Sequence, residues 1–367
     1  MKILFILENY YPYIGGVETL FKTLCEALAK DNISVTVLTN KFSVDLKNKE
    51  DINNVKIIRL PFRNRYLFTF LAGFAAIKHA RKHDLIHTTS YNAGIPSFIA
   101  GFLTRTKTII TFHEVWGKLW FKLPFMNKIV LTFHFLFEWF LLRLPFHKFI
   151  AVSDFTADSL IDAGINKSKI IRIYNGIDYN DFANFTKVKS DKFTFTYFGR
   201  LGISKGLDIL LNAIEILKAQ NKTFDFNLII PTLPASFNDK IRGLIAQKNL
   251  SEIISIHSDL SRNILFNKVA NSSAVVIPSY SEGFCYTAVE SMALNVPIVT
   301  SNMGALKEVV SGKYVKMKNY SAQSLADAMQ RALEGKWETI PLKKFQLKTT
   351  INEYIQFYKQ LLNRTNA

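Results

Sequence analysis

The sequence predicts an α/β protein made of two doubly wound, mostly parallel sheets in tandem. Short β-rich runs alternate with amphipathic stretches of helix length along the chain, the pattern of strands joined by crossover helices. The alternation breaks once, in a polar stretch that follows Asn175-Gly-Ile-Asp178 and ends at Asp191, and it restarts at Phe193. At 367 residues the chain also exceeds what one hydrophobic core usually supports. Two domains are therefore expected, at 1–185 and 192–342, with a last helical piece at 343–367.

The first strand, Lys2–Glu8, is an almost unbroken apolar run, as a strand buried on both faces requires. Ser34–Thr39, Val55–Leu60, Leu85–Thr89, Lys107–Phe112, Phe149–Ser153 and Lys169–Tyr174 follow, each rich in β-branched or large apolar residues. The second half repeats the pattern at Phe193–Phe198, Phe226–Ile230, Ile253–His257, Ala274–Ile277 and Pro297–Thr300, and a final helix is expected over roughly Lys343–Leu362.

Composition narrows the function classes. Hydrophobic residues make up 49% of the chain, enough for two cores, and its two cysteines, Cys25 and Cys285, are too isolated for a disulfide framework or a thiolate metal site. The chain opens directly on a strand, without the longer apolar core and small-residue cleavage site of a signal peptide, so a cytoplasmic location is expected. A net charge of +17 calls for a partner surface of opposite sign. Between Arg59 and Lys148, thirteen Lys and Arg face only Asp84, Glu114 and Glu138, and they are mixed with Phe, Trp and Leu. Basic residues among aromatic ones suit an anionic membrane surface, and the segment 116–143 is the expected contact. Within it, Ile129–Leu142 is too short and interrupted to span a bilayer and fits an interfacial helix and a buried core helix equally well. Nucleic acid is the weaker partner, because no helix-turn-helix, zinc spacing or RNP-like pattern accompanies the charge.

Open parallel sheets bind ligands beyond the carboxyl ends of their strands, so the loops there are the places to search. After the first strand, Gly15 and Gly16 open a helix, with Glu18 in its first turn. Two glycines permit close backbone approach to an anion, but the pattern is neither the dinucleotide-binding fingerprint nor a P-loop. His113 and Glu114 end another strand, where a histidine can donate to a sugar hydroxyl or to a backbone carbonyl. Ser153 and Asn175-Gly176 sit at further strand ends, and turn formation explains the Asn-Gly pair equally well. In the second half, Gly199-Arg200-Leu-Gly-Ile-Ser-Lys205-Gly206 places two cations on a glycine-flanked turn before a helix, where both could converge on a diphosphate. Glu282 and Glu290 are eight residues apart across a strand end, the Gly283 loop and a helix start, a spacing that suits a sugar nucleotide.

These runs carry a resemblance. The stretch Glu282-Gly-Phe-Cys-Tyr-Thr-Ala-Val-Glu290, continued through Val299 to Glu308, resembles the Glu-x7-Glu signature of the retaining glycosyltransferases of family 4, also called group 1. Gly15-Gly16-Val-Glu18 and Gly199-Arg200-x4-Lys205-Gly206 match two further elements of that family. The chain departs at Cys285, Tyr286 and Thr287, where the family more often has glycine, a small aliphatic and proline, and at Ala305, where a second glycine is common. The resemblance spans nearly the whole chain and implies the GT-B architecture, two Rossmann-like domains facing a cleft, with the last helix returning to the first domain.

It also implies roles. Arg200 and Lys205 would hold the donor pyrophosphate, Glu290 the ribose, Glu282 the transferred sugar, and His113 a sugar hydroxyl near the anomeric carbon. Gly15 and Gly16 would approach phosphate through their backbone, and Gly283, Phe284, Cys285 and Tyr286 belong to the donor loop. Glu18, Ser153 and Asn175 resemble cleft or acceptor positions. The expected reaction moves a sugar from a nucleotide diphosphate, UDP first and GDP second, to a glycan or lipid-linked acceptor at the cytoplasmic membrane face, for cell-surface polysaccharide, lipopolysaccharide or glycolipid synthesis. No cofactor or metal is expected, since the chain has no Asp-x-Asp and no His/Cys cluster at metal spacing. A sugar-nucleotide epimerase or hydrolase of the same architecture, or a non-catalytic subunit of a glycan assembly, are the competing readings. The intact Glu282, Glu290, Arg200 and Lys205 argue against the subunit.

Overall fold

The computed structural model describes residues 1–13, 15–62, 64–124, 126–186 and 192–363. The end of the expected linker (187–191), Phe125 of the basic aromatic segment and 364–367 of the C-terminal piece lie outside the described residues. The chain divides into two compact units, one of Met1–Phe121, Asn127–Gly176 and Leu347–Ala367, the other of Lys122–Met126 and Ile177–Gln346.

In chain order the first unit contains β1 (Lys2–Leu7), α1 (Gly16–Lys30), β2 (Ser34–Asn40), β3 (Lys49–Ile52), β4 (Val55–Leu60), α2 (Arg65–Ala80) and β5 (Leu85–Thr89). These are followed by α3 (Gly94–Thr104), β6 (Lys107–Phe112), α4 (Lys128–Arg143), β7 (Lys148–Ala151), α5 (Asp154–Asp162) and β8 (Ile170–Arg172). Eight strands form one sheet in the order β3-β4-β2-β1-β5-β6-β7-β8. All neighbours run parallel except the edge pair β3 and β4. The sequence reading missed β3 because Lys-Glu-Asp-Ile carries no apolar run: an edge strand with half-exposed faces needs none.

The second unit contains β9 (Thr194–Phe198), α6 (Leu207–Ala219), β10 (Asp225–Ile229), α7 (Ala235–Gln247), β11 (Ile254–His257), α8 (Arg262–Ala270) and β12 (Ala274–Ile277). It continues with α9 (Tyr286–Ala293), β13 (Ile298–Thr300), α10 (Leu306–Val309), β14 (Gly312–Lys316), α11 (Ala322–Leu333) and β15 (Glu338–Ile340). Its sheet runs β11-β10-β9-β12-β13-β14-β15. β15 pairs antiparallel with β14 and closes the edge. Both were missed, again as short strands with polar faces.

The strand interiors explain why the sheets form. Residues 3–7 of β1, all of β5 and all of β12 are buried, so these strands pack on both faces under helices. The last helix, α12 (Leu347–Asn363), packs on the first unit's sheet rather than the second's. Its Tyr354, Phe357 and Tyr358 join Phe5, Phe21 and Leu24 in one core. Tyr358 meets His87 Nδ1 at 2.6 Å, while His87 Nε2 meets Thr111 Oγ1 at 2.8 Å. Desolvation, helped by the charge of His113, holds the fully buried His87 imidazole down to about 3, so it stays neutral in the fold. With the two sheets and the returning helix, this is the expected two-domain α/β fold.

Candidate active site

In the second sheet the chain lays down β9, β10 and β11 in one direction, returns to the other side of β9 for β12, and then continues outward. The order therefore reverses between β9 and β12, which is where a doubly wound sheet opens a crevice. The two loops that leave these strands carry Arg200, Lys205 and Glu282.

Glycines let those loops meet. Gly206, at φ +69°, caps α6, and a Cβ there would stand 2.0 Å from the Pro278 carbonyl oxygen, so no other residue fits without moving the second loop. Tyr280 donates its backbone N–H to Ser204 O at 2.8 Å, and Tyr320 donates its hydroxyl to Pro278 O at 2.8 Å. Tyr280 donates to Asp208 Oδ2 at 2.9 Å, which ties the Glu282 loop to the first turn of α6.

Within this frame Lys205 Nζ lies 2.7 Å from Glu282 Oε1, the same oxygen that accepts the Ser279 hydroxyl at 2.7 Å. The two side chains expected to bind different parts of a donor thus bind each other here. Their side chains are 26% and 10% exposed, so removal of either would leave a largely desolvated charge uncompensated. Glu282 is also held from behind: its carbonyl accepts the Ala305 N–H at 2.8 Å. Gly304, at φ +61°, lies so close that a Cβ would come 2.5 Å from that carbonyl oxygen. Arg200 is exposed on the same loop as Lys205.

The helix after the loop starts at Cys285, at φ +76° and ψ 82°. Glycine occupies such a conformation without strain, which gives a physical reason for the glycine usual at this position in the family. Burial, reinforced by the Glu282 charge, pushes the Cys285 thiol well up, so it is a neutral packing group rather than a nucleophile. Thr287 Oγ1 is 3.7 Å from where a Cβ on Gly199 would stand, which puts the start of α9 beside the β9 loop. Phe284 is buried with its ring 5.4 Å from Tyr286 and 5.2 Å from Phe345. Farther along α9, burial raises the Glu290 carboxyl from about 4.5 to about 7, against a smaller pull from Arg262.

The first unit's candidates are dispersed over four strand ends, those of β1, β6, β7 and β8. Gly15 precedes α1 in extended conformation, and a Cβ there would stand 2.1 Å from Glu18 Oε2, so the Glu18 carboxylate covers the spot that glycine leaves open. Gly16 is the first residue of α1. His113 follows β6, its ring 6.2 Å from Phe21 of α1. Ser153 is fully buried and caps α5, its hydroxyl accepting the Thr156 N–H at 3.0 Å. Asn175 is buried, with its Oδ1 unbonded among the described residues.

Sequence reading overlooked three polar groups. Ser279 completes the Glu282 site, yet a lone serine three residues before it carries no signal of its own. At the first sheet's own order reversal, between β1 and β5, Glu8 accepts Asn92 Nδ2 at 2.6 Å and pairs with Arg65 Nε at 3.0 Å. Glu138, on α4, accepts the N–H groups of Trp116 (2.8 Å) and Gly117 (2.6 Å), the Trp120 indole (3.1 Å) and the Tyr91 hydroxyl (2.7 Å). A lone glutamate in an apolar helix was the available signal. Among the described residues no group of three or more His, Cys, Asp or Glu side chains could hold a metal ion.

Two doubly wound domains of this topology, with the last helix returned to the first, are the architecture of the GT-B glycosyltransferases. The chain belongs to glycosyltransferase family 4, group 1: residues 14–181 match Glycosyltransferase Family 4 and residues 178–348 match Glycosyl transferases group 1. It is therefore a transferase. An uncharacterized glycosyltransferase of Methanocaldococcus jannaschii is 28% identical over 336 residues, covering 86% of this chain and 82% of the relative. The GDP-mannose:cellobiosyl-diphosphopolyprenol alpha-mannosyltransferase of Xanthomonas campestris is 22% identical, covering 90% and 87%. Among solved structures, Anabaena HepE in complex with UDP and glucose superposes with a TM-score of 0.72 at 18% identity, covering 98% of this chain and all of that one, a likeness of fold.

Proposed function

We propose that the enzyme is a retaining, metal-independent glycosyltransferase that uses a nucleotide diphosphate sugar, UDP before GDP, and a glycan or lipid-linked acceptor at the cytoplasmic face of the membrane. The observation that carries this reading is the Lys205–Glu282–Ser279 cluster at the reversal of the second sheet. A diphosphate arriving there offers Lys205 a stronger anion than Glu282. As Lys205 turns to it, Glu282 is left free to accept the hydroxyls of the transferred sugar, and Arg200 adds a second cation from the same loop. When the bond between the anomeric carbon and the diphosphate oxygen breaks, its electron pair goes to that oxygen, where the two cations stabilise the growing charge. The acceptor hydroxyl attacks from the same face, and its proton passes to the departing diphosphate. Glu290 accepts from the ribose, and His113 donates to a sugar hydroxyl.

The X. campestris relative acts on a diphosphopolyprenol, which supports a lipid-linked acceptor and cell-surface polysaccharide synthesis. The basic aromatic segment 116–143 supports a membrane setting; no helix of the described residues is long and apolar enough to cross a bilayer.

Nucleotide release from a panel of UDP- and GDP-sugars, with a polyprenyl diphosphate saccharide as acceptor, tests the reading. Release is expected with one donor class and to persist in EDTA. Complete loss on chelation, restored by Mg²⁺ or Mn²⁺, would refute the metal-free mechanism.

A further inference from the structure

The outer helices of the first unit are built in reverse. A helix on a soluble protein normally turns its largest apolar side chains inward. On α2 the buried positions, apart from Phe68, are small: Thr69, Ala72, Gly73, Ala76 and Ala80. Phe70 and Phe74, with Tyr66, Leu67 and Leu71, point outward. α3 does the same, burying Gly94, Ser97, Ala100 and Gly101 while exposing Ile99, Phe102 and Leu103. On α4 the stripe Ile129, Phe133, Leu136 and Phe140 is exposed at helical spacing. Phe70, Phe74, Phe102 and Phe133 are exposed by 68–77%. Scattered exposed apolar residues need no explanation, but three adjoining stripes do.

The stripes adjoin. α2 packs along α3, and a Cβ on Gly94 of α3 would stand 2.5 Å from Leu141 Cδ1 of α4.

Charge selects the occupant. Across the three helices the only acidic residue is Glu138, and it is buried under four hydrogen bonds. Every exposed charge at the helix ends is positive, from Arg65 and Lys78 of α2 to Arg105 after α3 and Lys128 and Arg143 of α4. The Arg143 guanidinium lies 3.7 Å over the Trp139 ring, a cation held above an apolar body. A second copy of this chain would set cations against cations. An anionic bilayer supplies both the acyl chains and the opposite charge.

We infer that the joint outward face of α2, α3 and α4 seats in an anionic membrane, with Phe70, Phe74, Phe102 and Phe133 entering the acyl boundary. This builds on the membrane setting proposed above but moves its main contact away from 116–128. There, Trp116 and Trp120 are half-buried, with their rings tilted against each other at 5.5 Å and pinned by Glu138, so they are less able to insert.

The test is co-sedimentation of the full chain with vesicles of phosphatidylglycerol and phosphatidylcholine. Phe70→Ser with Phe74→Ser, and Phe102→Ser with Leu103→Ser, should each weaken binding by about tenfold or more and remove the part that resists salt. Their melting temperatures should hold, because these side chains are exposed. Three results would overturn the inference. The wild type could fail to bind the vesicles. The serine variants could bind like wild type while Lys118→Ser with Lys122→Ser does not, which moves the contact to the segment before α4 and leaves the membrane setting intact. Finally, sedimentation velocity could show self-association that the Phe70/Phe74 variant abolishes, without vesicle binding. None of these touches the donor reading, which nucleotide release in vesicle-free solution tests separately.

Discussion

Both sheets reverse their strand order, and at both reversals a carboxylate pairs with a cation, yet the two pairs are built differently. In the second unit Lys205 and Glu282 come from the loops that leave β9 and β12, and the loops are locked together at Gly206 and Tyr280, with Gly304 backing the Glu282 loop. In the first, Glu8 comes from the end of β1 but its partner Arg65 opens α2, with its side chain 57% exposed. A shared topology thus delivers polar groups to the same place in each unit, while loop packing decides whether they form a fixed, desolvated site or an open one. Under the proposed function, the second would hold a diphosphate always in the same way, and the openness of the first would leave room for an acceptor.

The largest effect should separate the two pairs directly. Lys205→Ala should cut turnover by roughly 10²-fold or more, because it removes a preorganised charge facing the leaving group. Arg65→Ala, at an exposed pair, should leave donor-side nucleotide release within about tenfold, since exposed ion pairs contribute ~1 kcal/mol or less. Equal losses in the two variants, measured by nucleotide release, would erase the distinction.

Next in size is the locking itself. Gly304→Ala should destabilise the second unit by about 1–3 kcal/mol, from left-handed strain alone, and more if the Glu282 backbone cannot yield. Donor affinity should fall with it, as read by thermal unfolding with and without UDP. A variant with unchanged melting and donor binding would show that the Glu282 loop is not held from behind.

The smallest effect sharpens the contrast through pH. Glu290 is raised from about 4.5 to about 7, so the folded state binds more protons than the unfolded chain in that window; the second unit should lose stability as pH rises through it. His87 is lowered from 6.5 to about 3, so there the unfolded chain binds more protons, and the first unit should lose stability as pH falls below 6.5. Hydrogen exchange followed separately in peptides of each unit should show opposite pH slopes. Glu290→Gln should flatten the slope in the second unit only.

Much of this was legible in the residues. Leu85–Thr89, Lys107–Phe112 and Ala274–Ile277 form strands with the expected bounds, because each is rich in β-branched residues whose strand preference is written in its own composition. The edge strands β3 and β15, and β14 beside β15, were not legible, since short strands with partly exposed polar faces ask for no distinctive composition. Ser153 carried a strand-end signal and proved to be a helix cap, a role that the same hydroxyl fills at many helix starts. The segment Ile129–Leu142 was ambiguous between core and interface, and the structure divides it. Leu131, Leu141 and Leu142 are buried, whereas Ile129, Phe133 and Phe140 are exposed.

By itself the sequence determined the alternation of strands and helices, the break between two domains, and the residue types waiting at each strand end. Those properties are local, since propensity, periodicity and turn chemistry act over a few residues. Only the tertiary structure decided that β9 lies beside β12, and so that Lys205 meets Glu282 from 77 residues away. It also decided that α12 returns to His87 across the length of the chain, and that α2 hides its alanines and shows its phenylalanines. Sheet order and helix orientation are set by which surfaces can be buried together, and that choice is made by the whole chain at once.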